Sequence, residues 1–194
     1  MTDLEGTVRI SADKMGIGLY GGNRYRYWFA TEVDPERRPG SDAESHRDLL
    51  PAVDDRTFVW VGLNPSTGDD TGRIRSSLRN VLFWAKRDGA SRVVGVNLFA
   101  HRHTNPADVA RHLRSATEKE VMGPGNDMVL AHVARSPTSR VLLGWGERRW
   151  LGMRGARVAA LFDDPFCIGV GASGAPSHPG RKARDLPLVP YSCT

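Results

Sequence analysis

Four short stretches of this 194-residue sequence gather side chains that could do chemistry: Gly62-Leu63-Asn64-Pro65-Ser66-Thr67, Asn97-Leu98-Phe99-Ala100, Trp145-Gly146 and Ser177-His178-Pro179-Gly180. Their polar groups are mainly amides and an imidazole, which orient, donate and accept hydrogen bonds; an amide cannot take up a proton as a carboxylate does. The nearest possible general bases are Asp69 and Asp70, in the loop after Asn64. Both are also placed to cap a helix beginning near Arg73, with Thr71 competing, and capping is the role expected of them. His101, His103 and His112 offer nitrogen ligands, but no Asp or Cys falls at a supporting spacing, so no metal is expected. The stretch Gly62 to Gly72 lacks both the Gly-Lys-Ser/Thr ending of a phosphate loop and a Gly-x-Gly-x-x-Gly core, which gives ATP and dinucleotide binding no support. Cys167 lies in an apolar run with no basic neighbour, the setting of a buried, unreactive thiol.

The elements that must position these groups follow from the hydrophobic pattern. Thr57 to Val61, Arg92 to Val96, Ser139 to Gly144 and Phe166 to Val170 are short apolar runs that read as buried strands. Between them, Ile74, Leu78, Val81, Leu82 and Ala85 repeat with helical spacing over Arg73 to Arg87, and Gly89 is a natural stop. Asn105-Pro106 opens a short helix through about Leu113, Asn126 caps another through Val133, and Glu147 to Leu161 is partly helical, weakened by Gly152 and Gly155. Strands alternating with helices predict a parallel sheet between helices: a three-layer α/β/α sandwich around a mostly parallel, four-stranded sheet. Residues 7 to 30, with Tyr20-Gly21-Gly22-Asn23 as the turn, predict an N-terminal β-hairpin. In an open parallel sheet, ligands bind beyond the carboxyl ends of the strands, which is where the four stretches fall.

Composition bounds the function. The length suits one domain over 1–194, with a hairpin and polar loop over 7–56 and the α/β core over 57–194. Lys and Arg number 27 against 22 Asp and Glu, a net charge of +5 that favours anionic partners. Residues 32 to 56 hold eight acids against four arginines and read as a surface loop, so the surplus of positive charge lies elsewhere. Arg73, Arg75, Arg79, Arg148 and Arg149 read first as solvated faces. Two cysteines, Cys167 and Cys193, are too few for four-cysteine zinc or iron–sulfur ligation. No run of about 18 apolar residues occurs, and the N-terminal residues are acidic, so a cytoplasmic monomer without a membrane span is expected.

The order of the strand-end stretches resembles the uracil-DNA glycosylase superfamily. Gly62-Leu63-Asn64-Pro65-Ser66 is similar to the first motif of its mismatch-specific branch, and Val96-Asn97-Leu98-Phe99 with Arg102 and Pro106 to the second-strand segment of its bacterial and archaeal branches. Ser177-His178-Pro179-Gly180 resembles the superfamily's His-Pro-Ser loop, with glycine where serine is usual. Across nearly the whole chain, the sequence is identified as a member of an uncharacterised bacterial and phage family, domain-of-unknown-function family 1643. Tyr25-Arg26-Tyr27, Gly62 to Thr67, Ile74-Arg75, Val96 to Ala100, Arg102, Thr104, Pro106, Gly123-Pro124, Asn126-Asp127, Trp145-Gly146, Pro176 and His178-Pro179 carry that resemblance.

The glycosylase resemblance implies hydrolysis of a nucleobase N-glycosidic bond in DNA or a nucleotide, without a cofactor. Asn64 would orient the water and His178 would donate to the departing base or a flanking phosphate, as the two catalytic residues. Asn97 would read the base edge, Phe99 or Trp145 would stack on it, and Gly62, Pro65 and Ser66 would complete the pocket. Arg102, Arg181 and Lys182 would meet phosphates. The same residues have plainer readings: Asn-Pro and His-Pro pairs initiate turns, Asn97 closes a loop, and Phe99 and Trp145 pack in a core. A non-catalytic nucleic-acid or nucleotide binder of the same fold is the alternative.

Overall fold

The computed structural model describes residues 7–10, 17–34, 50–67, 75–138, 140–151 and 153–192. At its centre β4 (Thr57–Gly62) runs parallel to β5 (Arg92–Asn97) on one side and to β6 (Arg140–Leu143) on the other, and β6 pairs in parallel with β7 (Phe166–Cys167). These are the four apolar runs of the sequence, and burial on both faces explains their lack of polar alternation. Along β4, Val59 and Val61 enter one core while Phe58 and Trp60 face a second. The first core is closed by Val121 of α3 (Glu118–Met122), by Val129, Leu130 and Val133 of α4 (Asn126–Arg135), and by Val158 and Ala159 of α5 (Arg154–Ala159). The second is closed by Val81, Trp84 and Ala85 of α1 (Ser76–Arg87). Helices therefore cover both faces of the sheet.

The sheet has eight strands, in the order β1-β2-β3-β5-β4-β6-β7-β8, where four were expected. The predicted N-terminal hairpin is β2 (Ile17–Gly21) with β3 (Tyr25–Glu32), but it does not stand apart. Strand β3 pairs antiparallel with β5, Trp28 opposite Val96, and β1 (Thr7–Ile10) adds beyond β2. The aromatic side chains of β3 give it the buried surface that joins it to the core: Tyr27 and Trp28 are both buried there. At the far edge, β8 (Val189–Pro190) pairs antiparallel with β7. The order β5-β4-β6 means that the chain leaves β4 towards β5 and then returns past it to β6. The topological switch point, where open α/β sheets form their crevice, lies between the carboxyl ends of β4 and β6.

Several boundaries moved. Helix α1 starts at Ser76 behind Arg75, which makes no side-chain cap bond, and the expected caps Asp69, Asp70 and Thr71 lie outside the described residues. Helix α2 (Pro106–Ser115) begins as predicted, with proline at N1 and the Asn105 side chain accepting from Ala107 N–H. Gly125 rather than Asn126 occupies the cap position of α4, because the Asn126 side chain turns inward. The short helix α3 was not anticipated, although Thr117 and Glu120 form a reciprocal capping box. The expected partial helix over 147–161 splits into a 3₁₀ turn, Arg149–Leu151, and α5. Of the polar loop, residues 35–49 lie outside the described residues. No helix among the described residues is long and apolar enough to cross a membrane.

Candidate functional site

Beyond the sheet, the loops after β4 and β5 remain zipped together. Leu98 N–H donates to Gly62 O (2.9 Å), Phe99 N–H to Leu63 O (3.0 Å) and His103 N–H to Pro65 O (3.0 Å). The Asn64 side chain closes this seam, with Nδ2 donating to His103 O at 2.7 Å and to Pro65 O at 3.0 Å. Two carbonyl acceptors can be satisfied only by the NH₂ group, so Oδ1 is the end turned away from the clamp. Thr67 and Thr104 join the two loops again through their hydroxyls. The Asn97 side chain lies over Gly62, where a Cβ would stand 2.8 Å from Asn97 Oδ1, so any larger residue there would force the Asn97 side chain to shift. Asn97 Nδ2 is buried with no hydrogen-bond partner among the described residues.

The loop carrying His178 lies across the other side of the switch point. Gly146 N–H donates to Pro176 O (2.9 Å) and Ser177 N–H to Gly169 O (2.8 Å), while Pro179 packs so closely on Gly144 that a Cβ there would meet its Cδ at 2.9 Å. From the opposite direction, buried Asn80 of α1 donates to Pro179 O (2.9 Å) and Lys182 O (3.0 Å), and Trp84 Nε1 to Arg184 O (2.9 Å). His178 Nδ1 accepts from Gly180 N–H at 3.0 Å. A ring whose Nδ1 accepts carries its proton on Nε2 when neutral, leaving Nε2–H as a donor. Desolvation by surrounding groups, with the positive charge of Arg148 adding, lowers the His178 pKa from 6.5 and favours that neutral form.

The other sequence-derived residues divide. Pro65 is buried in the seam and Ser66 half-buried beside it. Phe99 and Trp145 are 1% and 2% exposed, inside the first core, so their rings pack against protein. Arg102 is 6% exposed and its Nη2 donates to Thr67 O at 3.3 Å, a loop-holding contact. Arg181 and Lys182 are exposed on the loop after His178. Cys167 is buried, and burial raises its thiol pKa.

Three side chains have positioning roles that the sequence did not reveal, Asn126 among them having read as a helix cap. Asn126, fully buried, donates through Nδ2 to Asn97 O (3.0 Å) and Leu98 O (3.1 Å), and Arg154 Nε also reaches Leu98 O (3.0 Å). Asn80 is the third. Asparagine near a helix start resembles a cap, and only tertiary structure distinguishes a cap from an inward clamp.

The structure also assembles what spacing had set aside: His101, His103 and His112 present ligand atoms that all lie within 4.8 Å of one another. The rings of His101 and His103 stack at 4.4 Å, and those of His101 and His112 stand 4.5 Å apart. Burial, together with the neighbouring His103, His112 and Arg24, pulls the His101 pKa down to about 4. Burial and His112 lower that of His103, which Asp108 partly offsets.

The molecule is thus an open, mixed α/β protein whose strand-end loops carry two asparagines and one imidazole. It belongs to the family described as protein of unknown function (DUF1643), whose model matches residues 47–180. No curated protein and no solved structure is similar enough to this chain to count as a match.

Proposed function

We propose that this protein is a glycosylase-like hydrolase that cleaves a nucleobase N-glycosidic bond, in DNA or in a nucleotide, on a uracil-DNA glycosylase-like α/β/α fold. In this reaction the C1′–N bond breaks with its electron pair leaving on the base, and water adds to C1′ and gives up a proton to the base or to solvent. Asn64, clamped through its nitrogen, holds the water through Oδ1. His178 donates Nε2–H to the base oxygen on which negative charge grows, a contact that strengthens as the bond breaks. Arg181 and Lys182, exposed on the loop after His178, meet phosphate. What supports the reading is that Gly180 N–H donates to His178 Nδ1, which leaves Nε2–H as the donor of the neutral ring, and that the His178 loop packs on Gly144 and Gly146 after β6 while Asn64 follows the neighbouring β4.

An abasic-site assay over single strands and duplexes containing uracil, mismatched thymine and modified bases, with nucleotides alongside, tests this reading. Cleavage by the wild type that falls at least about 100-fold in Asn64→Ala is expected, a typical loss for one transition-state contact. Absence of cleavage by the wild type, or equal cleavage by the variant, overturns it. One feature favours a non-catalytic binder instead: none of the four strand-end stretches contains a carboxylate. Salt-dependent DNA binding without product would identify that alternative.

A further inference from the structure

We propose that His101, His103 and His112 bind one first-row transition-metal ion, Zn(II) foremost, leaving a coordination position open to water or an external ligand. The three ligand atoms lie within 4.8 Å of one another, and nitrogen ligands around one tetrahedral zinc stand roughly 3.4 Å apart given zinc–nitrogen bonds of about 2.0–2.1 Å. Closing that difference takes side-chain rotations that unstack the rings of His101 and His103, now 17° from parallel, so that their lone pairs converge. His101 Nδ1 and His103 Nε2 are buried with no hydrogen-bond partner within 3.5 Å among the described residues, so each has a lone pair or proton that an added ion or ligand could take up.

The backbone around the cluster is already fixed. His101 bridges to Tyr25 and donates its N–H to Val121 O (3.3 Å), while His103 N–H is held by Pro65 O (3.0 Å). His112 projects from α2, whose start is set by the Asn105 cap and Pro106. Ligands on a scaffold of this kind lose little freedom on binding. Three imidazoles and no oxygen ligand suit zinc, copper, nickel or cobalt rather than calcium or magnesium. Asp108 lies near enough to His103, and Glu120 near enough to His112, for their charges to be felt, which offsets the cationic Arg24 and Arg111. Because His103 O also accepts from Asn64, a bound ion would steady the β4–β5 seam, whatever reaction the crevice performs.

The test uses the full chain, stripped of metal by chelator and freed of any affinity tag. Expected are one Co(II) per chain with visible ligand-field bands, displacement of those bands by Zn(II), and a rise in Tm on adding Zn(II). The triple variant His101→Asn, His103→Asn, His112→Gln should lose the bands and the Tm rise. His112→Gln alone should weaken binding at least about tenfold, the loss that even an outer-shell partner brings. His132→Gln, whose ring sits elsewhere against Pro51 O, should bind as wild type does. Failure of the wild type to show the bands overturns the proposal. So does undiminished binding by the triple variant with circular dichroism unchanged or, should that variant not fold, by His112→Gln. The glycosylase reading is untouched by either result, since its assay does not involve the metal.

Discussion

The crevice and the histidine cluster adjoin the same pair of loops, yet the fold treats their polar atoms in opposite ways. In the crevice most side chains that matter are held by hydrogen bonds: Asn64 by two carbonyls, His178 by Gly180 N–H, and the loops beneath them by Asn126 and Asn80. In the cluster the backbone is tied down while one ring nitrogen each of His101 and His103 is buried with no hydrogen-bond partner among the described residues. Orientation at the strand ends is thus fixed by the protein's own hydrogen bonds, the arrangement that the proposed stabilisation of a developing charge would require. Donor atoms in the cluster are gathered but unsatisfied, which is what capturing an ion requires.

If that contrast holds, removing a crevice clamp should cost far more stability than removing a cluster ring. The largest effect is expected for Asn126→Ala. The substitution deprives the buried Asn97 carbonyl of its side-chain donor, whereas Leu98 O keeps Arg154. Loss of Asn126 Oδ1, which has no partner among the described residues, offsets part of the cost. A net destabilisation of about 2 kcal/mol follows from one unsatisfied buried carbonyl and the hole left behind. Urea unfolding would measure it, and a change under about 0.5 kcal/mol, the range of an ordinary surface substitution, would break the contrast.

A smaller effect concerns pH. The His178 pKa lies below 6.5 in the folded chain, so the unfolded chain takes up this proton first as pH falls. Its contribution to stability is therefore complete above about 6.5, the unfolded value, and is lost as pH falls through the lowered folded value. Protonation would also set an Nδ1–H against Gly180 N–H and open the loop. NMR titration of the ring should give a midpoint below 6.5. Arg148→Gln should move it upward, because a neighbouring positive charge is removed. A wild-type midpoint at or above 6.5 would contradict the neutral donor assigned to His178.

The sequence disclosed the central sheet because Thr57 to Val61 and Arg92 to Val96 are buried on both faces and so carry unbroken apolar runs. It placed the four candidate stretches at strand ends for a related reason, since each directly follows or lies beyond one of the sheet's apolar runs. What it hid depends on contacts distant in sequence. Strand β3 mixes arginine with aromatics and reveals its place only by pairing with β5. Two-residue β8 contains proline and has no pattern of its own. Asn80 acts on carbonyls about 100 positions away, and His112 reaches His101 only because α2 folds back over the loop. A search for donors by spacing finds ligands on one helix or one turn, and these three histidines lie on two segments.

The smallest expected effect is the sharpest for the comparison. In chelator-treated protein, His101→Phe replaces a ring carrying an unpaired buried nitrogen by an apolar ring of similar shape. It keeps the edge contact with Tyr25, 5.4 Å between centroids, and the stacking on His103. Replacing the unpaired Nδ1 by carbon removes a desolvation cost, which offsets the loss of the ring's contact with the Arg102 backbone, so stability should change by less than about 1 kcal/mol. Repeated with Zn(II) present, the wild type should be the more stable of the pair, because only it gains from the ion. A loss of more than about 2 kcal/mol without metal would mean that His101 is itself a satisfied core residue, and the two regions would then be built on the same plan.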